Sequence, residues 1–167
     1  MELNLKDKVV LVTGGSRGLG RTIALMAAAE GARVAVNYRR NAELADAVVA
    51  EIDRQYGPPA AAVEGDVARE DDVAAMFDRC EEHLGPVDAL VNNAAYCPVQ
   101  PTPETPLAEF ETALHVNMGG TFLCSREMVR RLQNSGRHGK IVNISSQAAF
   151  RGSQSGKTAY DATKMGI

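Results

Sequence analysis

The chain has 167 residues, 45% of them apolar, and a net charge of −3. That is enough for one domain with its own core, and the charge balance points to neither nucleic acid nor a membrane surface as a partner. Cys80, Cys97 and Cys124 are odd in number and lie far apart without metal-ligand spacing, so reduced thiols, no metal site and a cytoplasmic location are expected. Met1 to Asp7 is polar and lacks the apolar core of a signal peptide, and no apolar run is long enough to span a bilayer.

In chain order, Val9 to Val12 is a β-branched apolar run that reads as a buried strand, and it runs straight into Gly14, Gly15, Gly18 and Gly20. A helix follows from about Arg17 to Glu30, with Leu19, Ile23 and Ala27 on its inward face and Gly31 as its stop. Strand two is Arg33 to Asn37. Asn41 reads as the N-cap of a helix carrying Leu44, Val48 and Ile52, which gives way at Gly57-Pro58-Pro59 to a strand near Ala61 to Glu64. The third helix, Glu70 to Leu84, turns Val73, Phe77 and Leu84 inward and ends at Gly85-Pro86, and Asp88 to Asn92 is strand four. Pro98, Pro101, Pro103 and Pro106 mark an extended loop, with Thr105 placed to cap a long helix and Pro106 at its first position. That helix is expected to reach about Asn134 with Leu107, Phe110, Leu114, Leu123, Met128 and Leu132 on its apolar face. Gly119-Gly120 interrupts it, which predicts close backbone packing or a local distortion. Lys140 to Ile144 is strand five, and a polar segment from Ser145 to Lys157 leads into a last helix.

Strands joined by single helices imply a parallel sheet with right-handed crossovers and helices on both faces. The expected fold class is therefore α/β, a doubly wound three-layer Rossmann arrangement, with residues 1–167 as one domain. In such a fold ligands sit beyond the carboxyl ends of the strands. Strand, glycine turn and helix at the first of these ends make a phosphate-binding turn. Gly14 allows the turn to be tight, Gly18 lets backbone approach a pyrophosphate, and Gly20 lets the helix pack close to the sheet. The other informative ends are Asp66-Val67, Asn92-Asn93-Ala94-Ala95 and Ser145-Ser146. Tyr160 and Lys164, four apart, share a helix face.

Taken together, Thr13-Gly14 with Gly18 and Gly20, Asp66, Asn92-Asn93-Ala94, Asn117, Ser146 and Tyr160-x-x-x-Lys164 resemble the motifs of the short-chain dehydrogenase/reductase family, in its single-domain branch. The match runs over nearly the whole chain, and the N-terminal half is similar to 3-oxoacyl-thioester reductases acting on carrier-protein substrates. The resemblance implies an oxidoreductase that moves a hydride between a nicotinamide cofactor and a carbonyl or alcohol. Tyr160 is then the acid/base, and Lys164 the cation that favours its phenolate. Ser146, preferred over its neighbour Ser145, bonds the carbonyl oxygen, and Asn117 holds a proton-relay water to the lysine. The implied cofactor contacts are Gly14, Ser16, Arg17, Gly18, Leu19, Gly20, Asn37, Tyr38, Arg39, Asp66, Val67, Asn93, Ala94 and Ala95, with Tyr160 and Lys164 shared. Ala95 stands where relatives usually have Gly, and its methyl is expected to crowd the ribose.

An NAD-preferring site places a carboxylate at the end of strand two. This chain reads Asn37-Tyr38-Arg39-Arg40 there, and with Arg17 from the turn it offers guanidiniums to a 2′-phosphate, so NADP(H) is the expected cofactor and Asn37→Asp is expected to favour NADH. Arg126, Arg130, Arg131, Arg137 and Lys140 suggest either a basic surface for an acidic carrier or, for the first three, cations complementing a helix C-terminus. The substrate is read as a small carbonyl compound or acyl thioester; sugar, polyol, steroid and small-ketone reductases share these motifs. The rival readings are a non-catalytic NADP-binding sensor and a structural subunit. Relatives continue for roughly half as many residues again, still within single-domain size, so the domain is read as incomplete and inactive by itself, and the complete protein as a homo-oligomer, dimer or tetramer.

Overall fold

The computed structural model describes residues 3–57, 59–151 and 156–167. Five strands, β1 (Val9–Val12), β2 (Arg33–Tyr38), β3 (Ala60–Glu64), β4 (Ala89–Asn92) and β5 (Lys140–Asn143), form a parallel sheet in the order β3-β2-β1-β4-β5. The order reverses between β1 and β4, so the ligand crevice of this doubly wound sheet opens at the carboxyl ends of those two strands. The helices are α1 (Gly18–Ala29), α2 (Ala42–Gln55), α3 (Glu70–Leu84), α4 (Leu107–Ala113), α5 (Gly120–Ser135), α6 (Ala148–Arg151) and α7 (Thr158–Met165).

Alternation along β1 divides the core between the two faces of the sheet. Val9 and Leu11 pack with Met76, Phe77, Cys124 and Met128 of α3 and α5, while Val10 and Val12 pack with Ala24, Ala28, Val48 and Ile52 of α1 and α2. Each such fully buried aliphatic side chain contributes about 1.5–3 kcal/mol, and the central strand is an apolar run because both its faces are covered. At the far edge β5 is exposed along its length.

Asn41 caps α2 as expected, its side chain accepting from the Leu44 N–H at 3.1 Å. Three expectations need correction. Leu19 is 57% exposed, because the buried face of α1 is Gly20, Ala24, Ala27 and Ala28. Leu107 is likewise exposed. Thr105 does not cap the long helix: its hydroxyl turns back to the Pro101 carbonyl at 3.1 Å, and Pro106 is the N-cap residue, not the first residue of the helix. The interruption at Gly119-Gly120 takes both forms expected of it. Residues Leu114–Gly119 form a π-helical turn joining α4 to α5, and a Cβ on Gly120 would lie 2.7 Å from a Val67 methyl. The polar segment before α7 contains α6, and its residues 152–155 lie outside the described ones.

All three cysteines are free, and burial pushes the thiols of Cys80 and Cys124 up to about 12. Among the described residues no helix is long and apolar enough to cross a membrane, and no cluster of His, Cys, Asp and Glu is placed to hold a metal ion.

Candidate active site

The crevice is built on Thr13. Its buried hydroxyl donates to the Val91 carbonyl at 3.3 Å and accepts from the backbone N–H groups of Asn93 at 2.9 Å and Ala94 at 3.0 Å. A hydroxyl has one donor and two acceptor positions; all are used, and the ends of β1 and β4 are locked together. Thr13 opens the glycine motif in the sequence, where nothing gives it a separate task; the structure gives it this structural one. The Asn93 side chain completes the lock by donating to the carbonyls of Thr13 (2.9 Å) and Gly14 (3.2 Å).

Gly14 has φ +62° and Gly18 φ +54°, the left-handed region that favours glycine. A side chain on Gly20 would overlap the Gly14 carbonyl and the Asn93 amide, so Gly20 lets α1 begin against the turn itself, not against the sheet as expected. Gly18 borders open space. Arg17, Gly18 and Leu19 are exposed at the tip, with Ser16 half-buried. α1 also starts with no side-chain cap and no acidic residue in its first turn, whereas α3 opens on Glu70, Asp71 and Asp72. Uncapped N–H groups beside an open glycine fit a pyrophosphate, as the residues of a nicotinamide dinucleotide site must.

At the end of β2 the structure corrects the sequence reading. Asn37 is buried, and its side chain accepts from the Gly14 N–H at 3.1 Å while donating to the carbonyls of Gly65 at 3.1 Å and Val63 at 3.2 Å. Its backbone carbonyl accepts from the Gly15 N–H at 2.8 Å. It is a strut beneath the turn: Val34 to Asn37 are all buried, both faces of β2 being covered, and Tyr38 is the half-exposed residue at the strand end. Burial, then the carboxylates of Glu64 and Asp46, raise the Tyr38 phenol's pKa. Arg39 reaches the Asp66 carboxylate at 3.4 Å, and that carboxylate also accepts from the Ala68 N–H at 3.0 Å. Val67, expected at the cofactor, has its side chain buried against Gly120, which leaves its backbone as the only part able to face a ligand. Ala94 is packed beside Gly14 and Ala95 is exposed.

Around α7 the expected catalytic residues are brought together. Lys164 is 3% exposed; its ammonium donates to the Ile144 carbonyl at 2.5 Å and lies 5.7 Å from the centroid of the Tyr160 ring. Burial lowers its pKa. The adjacent serines are not equivalent. Ser145 gives its proton to the Lys164 backbone carbonyl at 2.7 Å, whereas Ser146 accepts from the Ala148 N–H at 3.2 Å and, among the described residues, donates to none. Asn117 is fully buried in the π-helical turn, and its carboxamide is consumed by structure. It accepts from the Tyr96 N–H at 2.7 Å and donates to the Tyr96 carbonyl at 2.9 Å and the Thr163 hydroxyl at 2.8 Å. The Thr163 hydroxyl in turn donates to the Tyr160 carbonyl at 2.7 Å. Its backbone carbonyl accepts from the Thr121 hydroxyl at 2.7 Å.

A family model described as short chain dehydrogenase matches residues 8–167. The chain belongs to this family. Among curated proteins it is 44% identical over 162 residues to an uncharacterized oxidoreductase, YgfF, of Escherichia coli, covering 95% of this chain and 65% of that protein. A 3-oxoacyl-[acyl-carrier-protein] reductase of Synechocystis is 37% identical over 98% of the chain and 65% of its own length. An L-rhamnose 1-dehydrogenase (NAD(P)(+)) of Sphingomonas is 37% identical over 98% of the chain and 63% of its own length. The chain thus spans slightly less than two thirds of the relatives it matches.

The arginines of the long helix are largely occupied within the molecule. Arg126 pairs with Glu70, Arg131 with Asp78 (2.7 Å), Glu127 (2.7 Å) and Glu81 (3.1 Å), and Arg137 with Asp88 (2.8 Å). Arg130 lies 3.9 Å from Glu70. The pairs with Glu70, Asp78 and Glu81 bind α5 to α3, and together with the others they leave little of the basic surface that a count of cations suggested.

Proposed function

We propose that this chain carries the cofactor half and the catalytic residues of an NADP(H)-dependent carbonyl reductase or alcohol dehydrogenase. The observation that carries the reading is buried Lys164, held at the Ile144 carbonyl just past β5 with its ammonium 5.7 Å from the centroid of the Tyr160 ring. The bound nicotinamide supplies the hydride. Tyr160 gives the proton to the carbonyl oxygen in reduction and takes it back in oxidation, Ser146 donates a hydrogen bond to that oxygen, and the Lys164 ammonium stabilises the phenolate. Asn117 acts by holding Thr163, and through it the Tyr160 carbonyl.

Arg17 and Arg39 are both exposed, and β2 ends without a carboxylate, which supports a 2′-phosphate and hence NADP(H) over NAD(H). A 3-oxoacyl thioester is the substrate class favoured by the N-terminal resemblance and by relatives named for that reaction. Because the helix arginines are paired, recognition of an acidic carrier through them is not part of the reading. The intact protein is proposed to be a cytoplasmic homo-oligomer.

The test is an assay of the intact protein with NADPH and NADH against ethyl acetoacetate and a panel of sugars and small ketones. Higher kcat/KM with NADPH is expected, falling at least about tenfold when Arg17 and Arg39 are both changed to Ala. Tyr160→Phe should lose turnover while binding NADPH as the wild type does. Equal efficiency with NADH rejects the cofactor choice, and near-normal turnover in Tyr160→Phe rejects the acid/base.

A further inference from the structure

The dipeptide Ile144-Ser145, just past the end of β5, holds Lys164 at both ends. The Ile144 carbonyl takes the ammonium at 2.5 Å, and the Ser145 hydroxyl donates to the lysine's own backbone carbonyl at 2.7 Å. Ser145 is an exposed residue whose side chain makes this one hydrogen bond among the described residues. A lysine ammonium rides on a flexible four-carbon stem. Its position is defined only when the stem's origin is fixed as well as its tip. Two other hydroxyls tie α7 down, Thr163 taking the Asn117 amide at 2.8 Å and Thr158 meeting the Thr102 hydroxyl at 2.7 Å, but both tie it to the segment between β4 and β5, and neither reaches the end of a strand. Ser145 ties it to the end of β5.

We propose that Ser145 is a positioning residue for the reaction: by anchoring the Lys164 carbonyl to the end of β5 it sets the reach of the Lys164 ammonium toward Tyr160. The proposal rests on Tyr160 being the acid/base. It assigns the two adjacent serines separate tasks, Ser146 bonding the substrate oxygen and Ser145 holding the lysine.

The experiment compares Ser145→Val and Ser145→Thr in the intact protein, reducing ethyl acetoacetate with NADPH, with Tyr160→Phe as control. Val keeps the branched shape of Thr and lacks the hydroxyl, and the exposure of the site lets both fold, as thermal unfolding verifies. Ser145→Val is expected to lower kcat about 10- to 100-fold, the size of effect a displacement near 1 Å produces, with KM within about twofold. Ser145→Thr should restore kcat. Wild-type kcat in Ser145→Val, a loss shared equally by Ser145→Thr, or a loss entirely in KM overturns the positioning role while leaving the Tyr160 assignment standing. Turnover by Tyr160→Phe removes the acid/base assignment and the positioning role with it.

Discussion

At the scale of single residues, the distinction between a side chain that meets the ligand and one that holds the site was only partly legible in the sequence. The left-handed turn at Gly14 and Gly18 and the nearness of Lys164 to Tyr160 could be read, because glycine spacing and a separation of four on a helix are local signals. Asn37 could not, since whether a strand's last residue points in or out depends on register, and a shift of one position exchanges Asn37 for Tyr38. The corrected geometry changes the expected outcome of a substitution. In Asn37→Asp the amide that donates to the Val63 and Gly65 carbonyls is replaced by a carboxylate oxygen, so two buried acceptors lose their donor and face a like partial charge. A loss of about 1–3 kcal/mol is expected in chemical denaturation of the intact protein, with no gain in NADH preference. Tyr38→Asp, at the half-exposed position, is the change expected to favour NADH. An Asn37→Asp variant as stable as wild type and shifted toward NADH would restore the original sequence reading.

At the scale of elements, strands, crossovers and the α2 cap were legible because hydrophobic period and capping chemistry are local. Helix faces were less so. Leu19 and Leu107 looked like core because they continue an apolar stripe, yet α1 approaches the sheet through glycine and alanines and leaves its leucine at the rim. The long helix illustrates what local sequence leaves undecided, because either glycine of Gly119-Gly120 could have marked the close approach. A Cβ on Gly120 would lie 2.7 Å from the Val67 methyl and 3.0 Å from its Cβ, whereas one on Gly119 has the Leu114 carbonyl 3.7 Å away as its nearest neighbour. Gly120→Ala is therefore expected to destabilise by about 1–3 kcal/mol through overpacking. It should also disturb NADPH binding, since Val67 would be pushed at the end of β3. Gly119→Ala should be neutral or stabilising by up to about 1 kcal/mol, the ordinary gain of Ala over Gly in a helix. Thermal denaturation of the two single variants decides the matter, and equal effects would show that the approach of α5 to Val67 is not tight.

At the scale of the molecule, several of the apolar residues left outside the two cores lie on the helical segment from α4 through α5. Leu107, Met118, Phe122 and Val129 are 69, 38, 60 and 42% exposed. Phe122 and Val129, seven residues apart within α5, lie along one face of that helix, and Met118 stands in the π-helical turn that leads into it. Single exposed apolar residues need no explanation, but a row of them along one helix does. The heptad spacing of Phe122 and Val129 suits an antiparallel packing against the same row of a second copy, an isologous contact in which each Phe122 is buried by its partner. Arg126, stacked 5.3 Å from the Phe122 ring and paired with Glu70, would flank that contact without placing an unpaired charge in it. The proposed homo-oligomer therefore predicts that Phe122→Asp, which puts a charge from each copy near the middle of the contact, separates the copies. In light scattering at matched concentration the wild-type intact protein should have the mass of a dimer or tetramer. The variant should have a lower mass, down to the monomer where this contact is the sole one, with its far-UV circular dichroism preserved. A monomeric wild type, or a variant of unchanged mass, would mean that the row is covered in some other way and that this face of the long helix is not where copies meet.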